Sequence, residues 1–515
     1  MMDQIVLDGS SLSCEDVLSC AYNNDTEVVL SEEAIIKIKR ASEAVAGFVR
    51  DGEVVYGITT GFGAFKDRII PKEKVELLQH NILVSHAVGV GSPLNIPTTR
   101  AMMLIRANTL SKGHSGIKLE TLELLLKMLN YGIHPVIPEI GSLGASGDLA
   151  PLAHMSLPLI GHGEVFYKGE QMLTSKAFEF KGLKPLRLAA KEGLALTNGT
   201  TFMTALGLLA VKQAENLIKI ADIASAMTLE ALNGTPKAFD PRIHELRPHE
   251  GQIKTAKIIR ELINGSQMLR ADDSLNVQDA YTLRCIPQVH GAIRDTIQYC
   301  KNVLEKELNS VTDNPLIFFD ENGNPEIISG GNFHGEPLAF AMDFLAIALT
   351  DLGNISERRI AKLVDETNNQ HLLPAFLTND GGLNSGFMLL QYTAAALASE
   401  NKVLSHPSST DSIPSSANVE DHVSMGANAA RHTRDIVKNL ETIISIELMS
   451  AAQAIDFRLR KSTELRLGIG TDLAYKTIRE YIPFIEKDRI LYTQIQKMQE
   501  ILRNGILLEK VNKFF

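Results

Sequence analysis

The chain has 515 residues, with 51 Lys plus Arg against 61 Asp plus Glu and a formal charge of −10 at pH 7. That length allows two or three domains around a large core, and an acidic balance without any Lys/Arg block argues against nucleic acid as a partner. Cys14, Cys20, Cys285 and Cys300 show neither CxxC nor paired spacing, so the expectation is a reducing, cytoplasmic setting without a disulfide framework.

At the N-terminus, residues 1–9 lack a basic stretch followed by an apolar one, and no signal peptide is expected. Short apolar runs at 53–56 and 135–140 alternate with helical patterns and Gly-rich loops, so residues 1–198 read as a mixed N-terminal domain. Tyr56-Gly-Ile-Thr-Thr-Gly-Phe-Gly63 lacks the order and the lysine of nucleotide-binding loops. It reads as a mobile loop presenting Tyr56, or as a purely structural turn. Ser85 and His86 fall near the end of a helical run over 74–90.

Residues 144–151 read Gly-Ala-Ser-Gly-Asp-Leu-Ala-Pro. If the backbone bends tightly, the amide nitrogen of Gly147 can attack the carbonyl carbon of Ala145 and close a five-membered ring. Glycine removes the Cβ that would block both bend and approach. Loss of water from the ring, and of the Ser146 hydroxyl as a second water, leaves an exocyclic methylidene, an electrophile otherwise borrowed from a cofactor. The plainer alternative is a small-residue turn in which Ser146 or Asp148 caps the helix running through Pro151. Asn198, in Thr197-Asn-Gly-Thr200, likewise suits a cap at the start of the first long helix.

From residue 199 onward, apolar residues on a helical period over 199–232, 336–364, 385–404 and 422–458 predict long helices. Residues 199–515 therefore read as a long-helix bundle and C-terminal helical region. Apolar residues cover much of each circumference, which predicts burial against other subunits as well. The most apolar window, 337–352, contains Asp343 and Asp351 and is too short to span a bilayer, so no membrane partner is expected. Gln278, Tyr281 and Arg284 step by three and would share one helix face. An amide, a phenol and a guanidinium together suit a carboxylate-bearing small molecule, which Arg284 can grip bidentately. Gly330-Gly-Asn-Phe333-His334 is a glycine loop, and Asn418-Val-Glu420-Asp421-His422 precedes the longest helical pattern. Glu420 and His422 could belong to a dyad, but nothing marks a third member. There is no HExxH, no EF-hand pattern and no GxSxG elbow around Ser146, so no metal site is expected.

Taken together, YGITTGFG (56–63), SHAVGVG (85–91), GSLGASGDLAPLAH (141–154), NGT (198–200), QDAYTLRCIPQ (278–288), SVTDNPL (310–316), SGGNFHGEP (329–337), ASENK (398–402) and NVEDHVSMG (418–426) resemble the aromatic amino acid ammonia-lyase family. The resemblance implies a mainly α fold of the fumarase/aspartase-like superfamily and a homotetramer with active sites shared between subunits. It implies that Ala145-Ser146-Gly147 form a 4-methylidene-imidazol-5-one group (MIO) autocatalytically, with no external cofactor. The implied reaction is loss of ammonia from an amino acid, leaving a trans-α,β-unsaturated acid. Tyr56 matches the family's base, and Tyr281 matches a second phenol beside the electrophile. Arg284 matches the carboxylate clamp, Asn198 and Gln278 the residues holding the electrophile and the substrate's polar end, and Phe333 an aromatic wall. His86, Met388 and Glu420 match the ring pocket of the histidine-specific branch, and a carboxylate at 420 is the natural partner of an imidazole N–H. Histidine, giving trans-urocanate, is thus the expected substrate, ahead of tyrosine or phenylalanine and of an aminomutase outcome. Thr201 departs from the pattern, standing where histidine-specific members commonly carry Gln.

Overall fold

The computed structural model describes residues 4–271 and 277–515; residues 1–3, part of the N-terminal stretch read above for a targeting signal, lie outside them. The fold is mainly α, as expected. The long apolar patterns become the helices Thr201–Ala231, Glu336–Val364, Met388–Leu404 and Gly426–Lys461. The last has 36 residues, a length of roughly 54 Å at 1.5 Å per residue. A further long helix, Ile286–Leu308, was not among the expected runs, because its pattern is amphipathic and charged rather than richly apolar.

Two compact units result, and both are discontinuous in sequence. One comprises Met1–Leu209, Lys301–Asp343 and Pro407–Arg431; the other comprises Ala210–Cys300, Phe344–His406 and His432–Phe515. The division falls inside the helices Thr201–Ala231, Ile286–Leu308, Glu336–Val364 and Gly426–Lys461. A cut in sequence at 198/199 therefore does not separate them.

The first unit carries small sheets between its helices. Gln4–Leu7 pairs in parallel with Glu27–Leu30, and Val90–Pro93 pairs antiparallel with Pro138–Ile140. The apolar run at 135–140 thus splits, since Ile133–Pro135 joins Glu164–Tyr167 instead. The run at 53–56 makes no strand and enters a turn. Helices in this unit approach closely at Gly207, where a Cβ would lie 2.8 Å from Leu304 Cδ2 and 3.2 Å from Met342 Sδ.

In the second unit the helices bury a polar cluster. Glu447 accepts hydrogen bonds from Arg359 Nε (2.5 Å), Arg359 Nη2 (2.9 Å), Ser356 Oγ (2.5 Å) and Thr228 Oγ1 (3.0 Å). Asp222 bonds His290 Nδ1 at 2.8 Å and pairs with Arg294. Buried ion pairs contribute little net stability, but breaking one by removing a partner costs about 3–5 kcal/mol, so they discriminate against slipped helix registers.

The apolar window at 337–352 needs a correction. Its helix, Glu336–Val364, has 29 residues and is long and apolar enough by composition to cross a membrane, yet 67% of its most apolar window is buried within the chain.

Candidate active site

Ala145-Ser146-Gly147 lie on a loop whose turns demand glycine. Gly144 and Gly147 have φ of 70° and 78°. A Cβ on Gly147 would sit 2.2 Å from the Gly199 carbonyl oxygen, and one on Gly144 would sit 2.3 Å from Ser424 Oγ. The loop is pinned from several sides. Met425 N–H donates to Leu143 O (2.8 Å), Ser424 Oγ to Gly144 O (3.0 Å) and Asp148 N–H to Gly199 O (2.7 Å). Ala145 is buried with Val423 and Met425, while Ser146 is half-buried.

Neither capping reading survives. Asp148 stands at the N-cap of Leu149–Ser156 but makes no side-chain bond to that helix. Its Oδ2 instead accepts the N–H groups of Phe202 (2.9 Å) and Met203 (3.0 Å), capping the next long helix, and its Oδ1 accepts from Ser142 Oγ (2.9 Å). Asn198 does not cap either. Its Nδ2 donates to Ser146 O at 2.9 Å, and its buried Oδ1 has no partner. Asp148 thus caps the helix beginning at Thr201, and both side chains tie this loop to the start of that helix.

Glu420 reaches Ser146 from 274 residues away: Ser146 Oγ donates to its Oε1 at 2.6 Å. Its Oε2 accepts from Ser415 Oγ at 2.8 Å. The turn behind it is strained, with Ser416, Ala417 and Asn418 at φ of 51°, 54° and 66°. Left-handed non-glycine residues cost about 1 kcal/mol or more each. Backbone bonds between Ser415 and Glu420 (2.9 and 3.3 Å) close the turn and aim the carboxylate.

A cavity of about 1420 Å³ opens over this loop. Tyr56, His86, Ala145, Ser146, Gly147, Asn198, Phe333 and Glu420 all line it, and all belong to the first unit. Tyr56 is half-buried, edge-on to Phe62, with its hydroxyl accepting from Gly63 N–H at 3.4 Å. Burial holds the His86 imidazole below its ordinary range, opposed by the nearby Glu420 charge. Its Nδ1 lies against Ser85 Oγ at 3.0 Å. Lys66, Arg68, Asn314, His334 and His422 line the cavity as well. Of these only His422 was singled out from the sequence, as a possible dyad partner of Glu420, although Asn314 and His334 also fall inside the motifs quoted above.

Gln278, Tyr281, Arg284 and Met388 are not brought to this cavity; they belong to the second unit. The shared helix face also needs correction, because the helix begins at Tyr281 and has only four residues, leaving Gln278 in the preceding coil. Tyr281 and Arg284 still meet, the guanidinium lying 4.8 Å over the phenol ring. Arg284 Nε donates to Asp279 O at 3.3 Å, and Tyr281 is 73% exposed.

The buried Asp148 carboxyl is pushed up to about 7 by burial, against the lowering effect of Met203 N–H, Ser142 and Phe202 N–H. The folded chain therefore holds this proton more tightly than the unfolded one. Its contribution to folding is complete below about pH 4 and is lost as pH rises through about 7. Asp148→Asn keeps an acceptor for both N–H groups and removes the titration. From about pH 5 to about pH 9 its Tm should gain on the parent's, measured by differential scanning calorimetry. A pH-independent difference would mean that Asp148 does not titrate in this range.

Residues 12–480 match the aromatic amino acid lyase family. A histidine ammonia-lyase of Chloroflexus aurantiacus is 59% identical over 505 residues, covering 98% of this chain and 97% of that protein. Among solved structures, histidine ammonia-lyase from Trypanosoma cruzi is similar with a TM-score of 0.90 at 43% identity, over 99% of this chain and 95% of that one. Tyrosine aminomutase from Streptomyces globisporus is similar with a TM-score of 0.92 at 39% identity, over 99% and 98% respectively.

Proposed function

We propose, on the premise that this chain belongs to the aromatic amino acid lyase family, that it is a carbon–nitrogen lyase removing ammonia from L-histidine to give trans-urocanate. One observation carries the substrate: Glu420, His86 and Ser146 line a single cavity, with the Glu420 carboxylate against Ser146. A carboxylate there suits an imidazole N–H, whereas a phenyl ring would displace water from it and offer no donor in return.

Ala145-Ser146-Gly147 fit the MIO group on this chain's own geometry. Gly147 occupies a space that no side chain could share, and the loop is held at both ends. When formed, the group supplies the electrophile that takes up the substrate amine and makes it a better leaving group. The Ser146 carbonyl oxygen accepts from Asn198 Nδ2 (2.9 Å) and Gly199 N–H (3.4 Å). Donors at that oxygen draw electron density out of the tripeptide. Tyr56 accepts the β-proton in this scheme, and Phe333 walls the ring pocket.

The substrate's carboxylate falls to Arg284, with Gln278, Tyr281 and Met388 beside it, contributed by another copy in a homotetramer. Two features support this part. Tyr281 is exposed in the single chain, and Phe340, Phe344 and Ile347 form a stripe along one helix at 44%, 47% and 47% exposure. An apolar stripe of that kind calls for a covering surface. Cys14, Cys20, Cys285 and Cys300 form no disulfide, in keeping with a cytoplasmic setting.

Histidine, tyrosine and phenylalanine should be offered separately, with urocanate, coumarate and cinnamate followed by ultraviolet absorbance and β-amino acids by chromatography. Urocanate should dominate. Coumarate or β-tyrosine as the main product would overturn the substrate assignment while leaving the family untouched.

A further inference from the structure

His334, Glu336 and His422 converge on the wall of the same cavity, and their donor atoms all lie within 4.8 Å of one another. No role for them follows from deamination. Glu336 Oε2 is buried without a hydrogen-bond partner. It lies 3.8 Å from His334 Nδ1 and 3.9 Å from His422 Nε2. Both distances exceed the roughly 2.7–3.2 Å of an N–H···O bond. The carboxylate oxygen is thus flanked by two imidazole nitrogens at a spacing too wide for direct bonding.

An ion between the carboxylate and each imidazole would explain the 3.8 and 3.9 Å spacings, with the two imidazole donors, within 4.8 Å of one another, drawing together on binding. At about 2.0–2.1 Å from each donor, donors sit about 3.3 Å apart at tetrahedral angles and up to about 4.2 Å apart when opposed. The second nitrogen of His334 adds an independent sign. His334 Nε2 lies 3.3 Å from the His422 carbonyl oxygen. Donation of Nε2–H to that oxygen leaves the Nδ1 lone pair facing Glu336, which is how metal-ligating histidines are commonly oriented. The two imidazoles are parallel, with 5.7 Å between centroids and 1° between planes.

We propose that His334, Glu336 and His422 form a binding site for a divalent transition-metal ion of the zinc class. Two imidazoles and one carboxylate suit zinc, cobalt or nickel, whereas calcium and magnesium favour all-oxygen sets. Three protein ligands leave at least one position open. His422 is 70% exposed and both histidines line the cavity, so the ion has an entry path and its open position is reachable by water or a small molecule. These ligands come from two segments far apart in sequence, so no local spacing announces them.

The test uses tag-free, chelator-stripped full-length protein, with ZnCl₂ followed by calorimetry and CoCl₂ by visible absorption. The parent should bind one zinc per chain and develop a ligand-field band with cobalt. Glu336→Gln and His422→Asn should each weaken zinc binding by at least about 100-fold and abolish that band, with Tm unchanged in metal-free buffer. His422 is exposed, so its replacement is the variant least exposed to folding artefacts. Absence of stoichiometric binding by the parent, or equal affinity in His422→Asn, would overturn the site. Since neither readout is turnover, the result is independent of the lyase reading.

Discussion

Ser146→Ala should fold like the parent chain and lose turnover by a factor on the order of 10³ or more, the scale on which a principal transition-state group is missed. Ser146 Oγ leaves the parent as water when the ring forms, and in the unreacted chain it bonds Glu420 Oε1 at 2.6 Å, so its removal should change stability by no more than about 1 kcal/mol. The decisive readout is intact mass. Ring closure and dehydration of Ala145-Ser146-Gly147 remove two waters, a deficit of ~36 Da carried by the parent and absent from the variant. Near-normal turnover by the variant, or a parent at its full encoded mass, would remove the electrophile from the proposed mechanism.

Glu420→Gln separates substrate reading from loop chemistry. The amide is nearly isosteric and can still accept from Ser415 Oγ, and the backbone bonds between Ser415 and Glu420 still close the strained turn at 416–418. What disappears is the charge available to an imidazole N–H. Histidine turnover should fall by roughly 10²–10³-fold, as expected when a charge-assisted contact is lost from a largely dry site. Tyrosine and phenylalanine turnover should hold or rise slightly, because neither ring needs a carboxylate. The variant should retain the mass deficit, placing the loss in substrate recognition. Equal losses on all three amino acids with the deficit intact would show that Glu420 does not read imidazole.

Much of the site was legible in local sequence, but legible in type rather than in use. Asp148 and Asn198 stood out as helix caps because short polar residues before apolar runs satisfy free N–H groups. The chain does use Asp148 as a cap, on the helix beginning at Thr201 rather than the one beginning at Leu149. Gln278 read as a member of a helix face that starts three residues too late to include it.

The sequence by itself determined two things about this protein. Apolar residues on a 3.6-residue period make the long helices, since that pattern acts over a few turns wherever the segment lies. Glycines at 144 and 147 specify the turn around Ala145-Ser146-Gly147, because positive φ and the absence of a Cβ are properties of those residues alone. Only the tertiary structure decided which partners this loop meets. Glu420 comes from 274 positions away, and His422 stacks on His334 across 88. Tyr56, His86 and Phe333 share one compact unit, while Tyr281 and Arg284 fall in the other. Convergence of that kind depends on how helices and loops pack over long sequence separations, and no local pattern encodes it.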